Sequence, residues 1–112
     1  MGIVEETLEG RLSHGLRVQA IGMKLGRSAQ EAIRRKAEAM TRRYPGLLGL
    51  AVELRRVVLG PRRSEYLVKA RLVLPGYDRI VAKRSEELGL ALANAFEVAD
   101  RQLRRRATRA RF

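Results

Sequence analysis

Apolar and polar positions alternate along this chain with two different periods. Leu88, Ala91, Leu92, Ala95, Ala99 and Leu103 recur at three- and four-residue steps, which stacks them on one side of a helix with about 3.6 residues per turn. That helix is predicted to carry Glu86 and Glu87 in its first turn, where the positive end of the helix dipole favours acids. It ends in Arg104, Arg105 and Arg106, where the negative end favours cations. A second helical stripe runs through Ala29, Ile33, Ala37, Met40 and Tyr44. Gly26, Arg27 and Ser28 precede it, and Ser28 followed by Glu31 has the form of a capping box. Pro45 and Gly46 stop it, because proline lacks the N–H that continuation requires.

The period-two segments predict four strands. Leu16 to Leu25 mixes β-branched and long apolar residues, with Gly22 as a bulge or bend. From Leu48 to Leu59, the apolar Leu50, Val52 and Leu54 alternate with Ala51 and Glu53. The phase slips at Arg55 and Arg56, where this strand is expected to end or bulge, and Gly60 to Glu65 reads as a connection. Tyr66, Val68, Ala70, Leu72 and Leu74 then share one face of a third strand whose other face shows Lys69 and Arg71. Pro75, Gly76, Tyr77 and Asp78 make a turn, and Arg79 to Lys83 is a fourth strand in a hairpin with the third.

The element order is therefore β-α-β-β-β-α. An amphipathic helix and a mostly antiparallel sheet each need one covered face, so an α+β domain follows, with both helices on one side of a four-stranded sheet. Ile33, Met40, Leu92, Ala95 and Leu103 are expected to make that contact. Residues 1–15, locally acidic at Glu5, Glu6 and Glu9, show no sustained period and are assigned to a leader, either a turn of helix or disordered. The domain spans 16–106, and 107–112 form a basic tail. No internal repeat or second domain is evident.

Charge changes the picture from fold to partner. The 112 residues carry 24 lysines and arginines against 12 acids, a formal charge of +12, and a pI near 11.4. After Asp100 there is no further acid, while Arg101, Arg104, Arg105, Arg106, Arg109 and Arg111 follow. That excess goes beyond dipole compensation and predicts an anionic partner. If the helices lie side by side, Arg34, Arg35, Lys36, Arg42 and Arg43 of the first join Arg101, Arg104 and Arg105 of the second in one RNA-binding surface, with Lys83 and Arg84 as further candidates. Tyr66 falls on the apolar face of its strand and reads as core, whereas Tyr77 in the turn is open to packing or to base stacking.

Other classes are poorly supplied. Cysteine is absent, which removes disulfides and thiolate metal sites, and the sole histidine, His14, sits between Ser13 and Gly15 in a loop and reads as a surface residue. The scattered carboxylates make no nucleophile–base pair and no metal-ligand spacing, and glycine-rich phosphate loops are missing. An enzyme, a cofactor and a small-molecule substrate are not expected. No apolar run approaches the roughly 20 residues that span a bilayer, and the start lacks a signal-peptide pattern. The protein reads as soluble and cytoplasmic.

From Leu16 to Arg106 the residues resemble the ribosome hibernation factors, also called ribosome-associated inhibitor A, protein Y or hibernation promoting factor, and earlier the sigma-54 modulation proteins. The likeness is carried by IVAKRSEELGLAL followed by DRQLRRR, in which Lys83, Arg84, Glu87, Leu88, Ala91, Leu92, Arg101, Gln102 and Leu103 fall into step. MKLGRSAQEAIRRKAEAM and the LVLPG turn match more loosely. The aromatic that members place in the second helix falls here at Gly89, and the lysine before the Arg-Gln pair at Val98. The resemblance implies a domain shaped like double-stranded RNA-binding domains. It implies binding to 16S-type RNA of the small ribosomal subunit, where messenger and transfer RNA bind, so that idle ribosomes stop translating under stress. Longer members append a domain that joins two ribosomes, so this chain is expected to act as a short form, a monomer that does not itself bridge ribosomes. A DNA- or protein-binding transcriptional modulator is the alternative.

Overall fold

Where the period-two segments pair, they make one mixed sheet in the order β1-β2-β3-β4-β5. The structure, a computed structural model, describes residues 5–9, as backbone, and 15–109. Its elements are β1 (Glu5–Glu9), β2 (Leu16–Ile21), α1 (Arg27–Arg43), β3 (Gly49–Gly60), β4 (Arg63–Leu74), β5 (Tyr77–Ser85) and α2 (Leu88–Arg109). The four predicted strands and two helices thus occur in the predicted order. Strand β1, inside the predicted leader, adds a fifth strand antiparallel to β2, from Glu5 opposite Ile21 to Glu9 opposite Arg17. His14 and residues 110–112 of the predicted tail lie outside the described residues.

Parallel neighbours need a crossover between them, and α1 supplies it for β2 and β3. The remaining pairs are antiparallel. Chain reversal from β4 to β5 takes only Pro75 and Gly76, with Leu74 opposite Tyr77. Gly76 has φ +84°, a left-handed conformation that costs a side chain bearing Cβ but not glycine.

In β2 to β5 side chains of one face enter the core: Leu16, Val18 and Ala20 in β2, Leu50, Val52 and Leu54 in β3, Val68, Ala70, Leu72 and Leu74 in β4, and Val81 in β5. The register sets these opposite one another, so they occupy a single face of the sheet. Ile33, Ala37 and Met40 of α1 and Ala91, Leu92, Ala95, Phe96, Ala99 and Leu103 of α2 close over that face in one continuous cluster. Both helices therefore lie on the same side. Five of the six α2 positions expected on this side are buried and Leu88 is only partly so; Phe96 joins them and extends the stripe sideways.

Four local expectations are corrected. Gly26, not Ser28, is the N-cap of α1, and no side chain caps it. Because the helix begins at Arg27, Ser28 is already inside the first turn; Gln30 instead donates from Nε2 to the Leu25 carbonyl at 2.9 Å, and Glu31 pairs with Arg34. Strand β3 does not end at Arg55 and Arg56 but stays paired with β4 through Val58, with a register shift between Val58 and Gly60. The burial period is lost there because the hairpin runs out beyond the helices, leaving Arg55, Arg56, Val58 and Leu59 exposed. Glu86 and Glu87 precede α2 rather than occupy its first turn, and Ser85 Oγ accepts the Glu87 N–H at 3.1 Å. Helix α2 runs on to Arg109, so 107–109 are helical.

Candidate nucleic-acid interface

Helix periodicity decides which arginines can act together. On α1, Arg35 and Arg42 are about two turns apart, exposed, and opposite the buried stripe of Ile33, Ala37 and Met40. Neither has a carboxylate partner among the described residues. Lys36 and Arg43 share the flank that faces α2, and Arg43 Nη1 reaches Asp100 Oδ1 at 2.9 Å. Arg34 lies on the far flank, where it pairs with Glu31 at 3.5 Å and its Nε is buried without a hydrogen-bond partner.

On α2 the arginines divide as well. Arg104 faces α1, with Nη2 2.7 Å from Asp100 Oδ2. Arg101 and Arg105 lie on the other flank; Arg101 pairs with Glu97 at 3.3 Å, and Arg105 has no carboxylate partner among the described residues. The two helices thus join at Arg43, Asp100 and Arg104, while the ends of the predicted surface are spread around the two-helix layer.

Lys83 and Arg84 do not act as a pair. Lys83 stands opposite the buried Val68 and so belongs to the helix-bearing side, whereas Arg84 stands opposite Leu67 on the open side of the sheet. There Arg84 Nε lies 3.5 Å from Glu65 Oε2.

Asp100 is a residue that charge counting passes over. Its side chain keeps 18% of its accessible area, and the Tyr44 hydroxyl donates to its Oδ1 at 3.0 Å. Desolvation, the largest single influence, pushes its pKa up. Hydrogen bonds from Arg104 and Tyr44, together with the charge of Arg43, outweigh it and hold the carboxyl below its ordinary value. The reciprocal bond raises Arg104. A carboxyl lowered in the folded state stabilises the fold above the unfolded carboxylate range, about 4, and loses that contribution as pH falls through the lowered native value. Asp100→Ala is therefore expected to cost about 1–3 kcal/mol in urea titrations at neutral pH, since it leaves Arg43 and Arg104 facing each other with no anion between them. The gap between the native protein and Asp100→Asn should close on acidification; a gap that stays constant with pH would rule out the ion pairs as its source.

A second basic feature lies at the turn end of β5, and of its residues only Arg105 belongs to the predicted set. Tyr77, Arg79, Gln102, Arg105, Arg106 and Arg109 line a groove of about 320 Å³ with four arginines and no carboxylate. Tyr77 is 46% exposed. Arg106 Nε donates to its hydroxyl at 3.2 Å, and this hydrogen bond is the main reason the phenol pKa is lowered, with Arg79 adding to it. Asp78 turns to the opposite sheet face, where Arg71 holds it at 3.8 Å. Assigning Tyr77 and Asp78 to the turn hid this site: β5 begins at Tyr77 rather than Arg79, and the strand period then puts Tyr77 and Arg79 on the same face two residues apart.

Among the described residues no group of three or more His, Cys, Asp or Glu could hold a metal ion, and no helix is long and apolar enough to cross a membrane. What the arrangement offers is a one-sided sheet whose covering helices carry guanidinium groups to solvent, a chemistry for gripping anionic backbones. Residues 16–111 match the family described as Sigma 54 modulation protein / S30EA ribosomal protein, and the chain belongs to that family. It is a family of ribosome-associated proteins, the one that the residues from Leu16 to Arg106 resemble. No curated protein matches by sequence. Among solved structures, the Thermus thermophilus Protein Y N-terminal domain is similar with a TM-score of 0.64 at 19% identity, over 80% of this chain and 92% of that one. A ribosomal subunit interface protein from Coxiella burnetii is similar with a TM-score of 0.63 at 12% identity, over 83% and 97%. Likeness at these identities establishes the shared fold.

Proposed function

We propose that the protein binds 16S-type RNA of the small ribosomal subunit in the channel used by messenger and transfer RNA, and stops translation by idle ribosomes under stress. The observation that carries this reading is the two-helix layer with Arg35, Arg42 and Arg105 exposed and free of carboxylate partners among the described residues, in a chain of this family. Unpaired guanidinium groups release condensed counterions when they meet phosphates, so binding is driven by the polyelectrolyte. Action by steric exclusion needs no cofactor and no turnover. It is the action of a binding protein, cytoplasmic because ribosomes are, and monomeric off the ribosome because a charge of +12 keeps copies apart.

Two measurements test it. Purified small subunits should sediment with the protein, and added messenger and transfer RNA should displace it. Affinity should fall by roughly three to five orders of magnitude between about 50 and about 200 mM salt if six to ten phosphates are contacted. In a cell-free system, saturating protein should suppress translation. Normal translation at saturation would refute the inhibitor reading, and recovery of DNA rather than ribosomal RNA in a pull-down would favour the transcriptional modulator.

A further inference from the structure

We propose that the groove between the start of β5 and the last turns of α2 holds an unpaired RNA nucleotide, its base stacked on Tyr77 and its phosphate between Arg79 and Arg106. This rests on the reading of the protein as an RNA binder and gives it a second contact, apart from the outer surface of α1.

Three features of the groove support it. First, its lining includes four arginines and no acid, so an anion entering meets an uncompensated field. The neighbouring acid, Asp78, is engaged by Arg71 on the other side of the sheet. Second, the guanidinium of Arg106 is held in advance. Nε donates to Tyr77, Cζ lies 6.0 Å from the ring centroid, and Nη1 would come within 3.0 Å of a Cβ at Gly46. A cation fixed by its neighbours loses less freedom when it captures a phosphate. Third, Tyr77 is the exposed tyrosine: Tyr44 is buried in the core and Tyr66 is partly covered on β4. An aromatic face beside backbone-binding cations is how proteins hold single-stranded nucleic acid, because every base has a π-face to stack. In a duplex the bases are already stacked on one another, so the ring selects an unpaired nucleotide.

The test uses the full chain with a short oligouridylate and an abasic oligomer of the same length, with affinities measured by calorimetry. The chain has no tryptophan, so tyrosine emission is observable and stacking should quench it. The native protein should bind oligouridylate more tightly than the abasic oligomer. Tyr77→Ala should lose roughly tenfold or more on oligouridylate and little on the abasic oligomer, while Arg79→Ala should weaken both. Tyr77→Phe keeps the ring but loses the hydroxyl that holds Arg106, so it should bind both oligomers somewhat more weakly, keep the preference for oligouridylate over the abasic oligomer, and abolish the quench; this arm decides even if Tyr77→Ala does not fold. Equal affinities of Tyr77→Ala and native protein, a quench that survives in Tyr77→Phe, or equally tight binding of polyglutamate would each overturn the proposal. Oligouridylate binding of the expected kind in a protein that fails to sediment with small subunits would refute the ribosomal reading and leave the groove assignment standing. Subunit binding without a Tyr77-dependent quench would overturn the groove alone.

Discussion

Reversing Arg35 and Arg42 together to Glu is expected to weaken small-subunit binding by roughly two orders of magnitude or more, with the melting temperature nearly unchanged. Both side chains are exposed, on the side of α1 opposite its buried stripe, and neither holds a carboxylate among the described residues. Their removal therefore breaks no fold contact, and lowering a charge of +12 relieves self-repulsion. Each lost phosphate contact should also lower the slope of log affinity against log salt by about 0.9 on the duplex scale, or about 0.7 on a single strand. A double variant that keeps its affinity and its salt slope would mean that the outer surface of α1 does not face RNA. Arg43 is unsuitable for the same purpose, because its bond to Asp100 ties α1 to α2, and a loss of binding in Arg43→Glu would mix charge with structure.

Much of this fold is legible because each element must hide one face. The stripe of Ile33, Ala37 and Met40 and the alternation of Val68, Ala70, Leu72 and Leu74 are direct consequences of that need and appear in the core, whereas Tyr66, read as core on the same strand face, is only partly buried. Legibility ends where burial is not decided within the element. Arg55 and Arg56 look like a strand end, yet the chain stays paired while its cover runs out. Strand β1 is acidic and lies at the sheet edge, where one neighbour supplies its backbone bonds, so its sequence need not alternate. Helix charge was legible as quantity but not as arrangement. Tyr44 and Asp100 are 56 residues apart, and Tyr77 and Arg106 are 29 apart. The Asp100–Arg104 pair, four residues apart on one helix, was readable from the helix period, but nothing local announces that the same acid also neutralises Arg43. The separation of Lys83 from Arg84 was available from the strand period alone, since neighbours in a strand point to opposite faces.

Leu92→Asp is expected to cost about 3–5 kcal/mol, a large share of the roughly 5–15 kcal/mol that holds a domain of this kind together. Leu92 is 6% exposed and lies in the single core that α2 and the sheet enclose. Among the described residues Thr41 is the one buried polar or charged side chain, so a carboxylate at position 92 would be desolvated without a basic partner. Leu92→Ala removes only apolar contact and should cost about 2–5 kcal/mol, according to how far the helix settles into the space left. Leu90, two residues earlier on the same helix, is 49% exposed and serves as the control. Leu90→Asp should stay within about 0.5 kcal/mol of the native protein, because it exchanges solvent-facing surface and puts an acid near the helix N-terminus, where the dipole favours it. Acidity separates charge burial from simple loss of packing. Desolvation raises the pKa of the introduced carboxyl above its unfolded value, so protonation favours the folded state, and Leu92→Asp should regain stability as pH falls from about 7 to about 5. Leu92→Ala carries no new titrating group and should show no such recovery. Urea titrations followed by circular dichroism at the two pH values measure all three variants, and a Leu92→Asp protein as stable as Leu90→Asp would show that α2 does not pack on the sheet through this face.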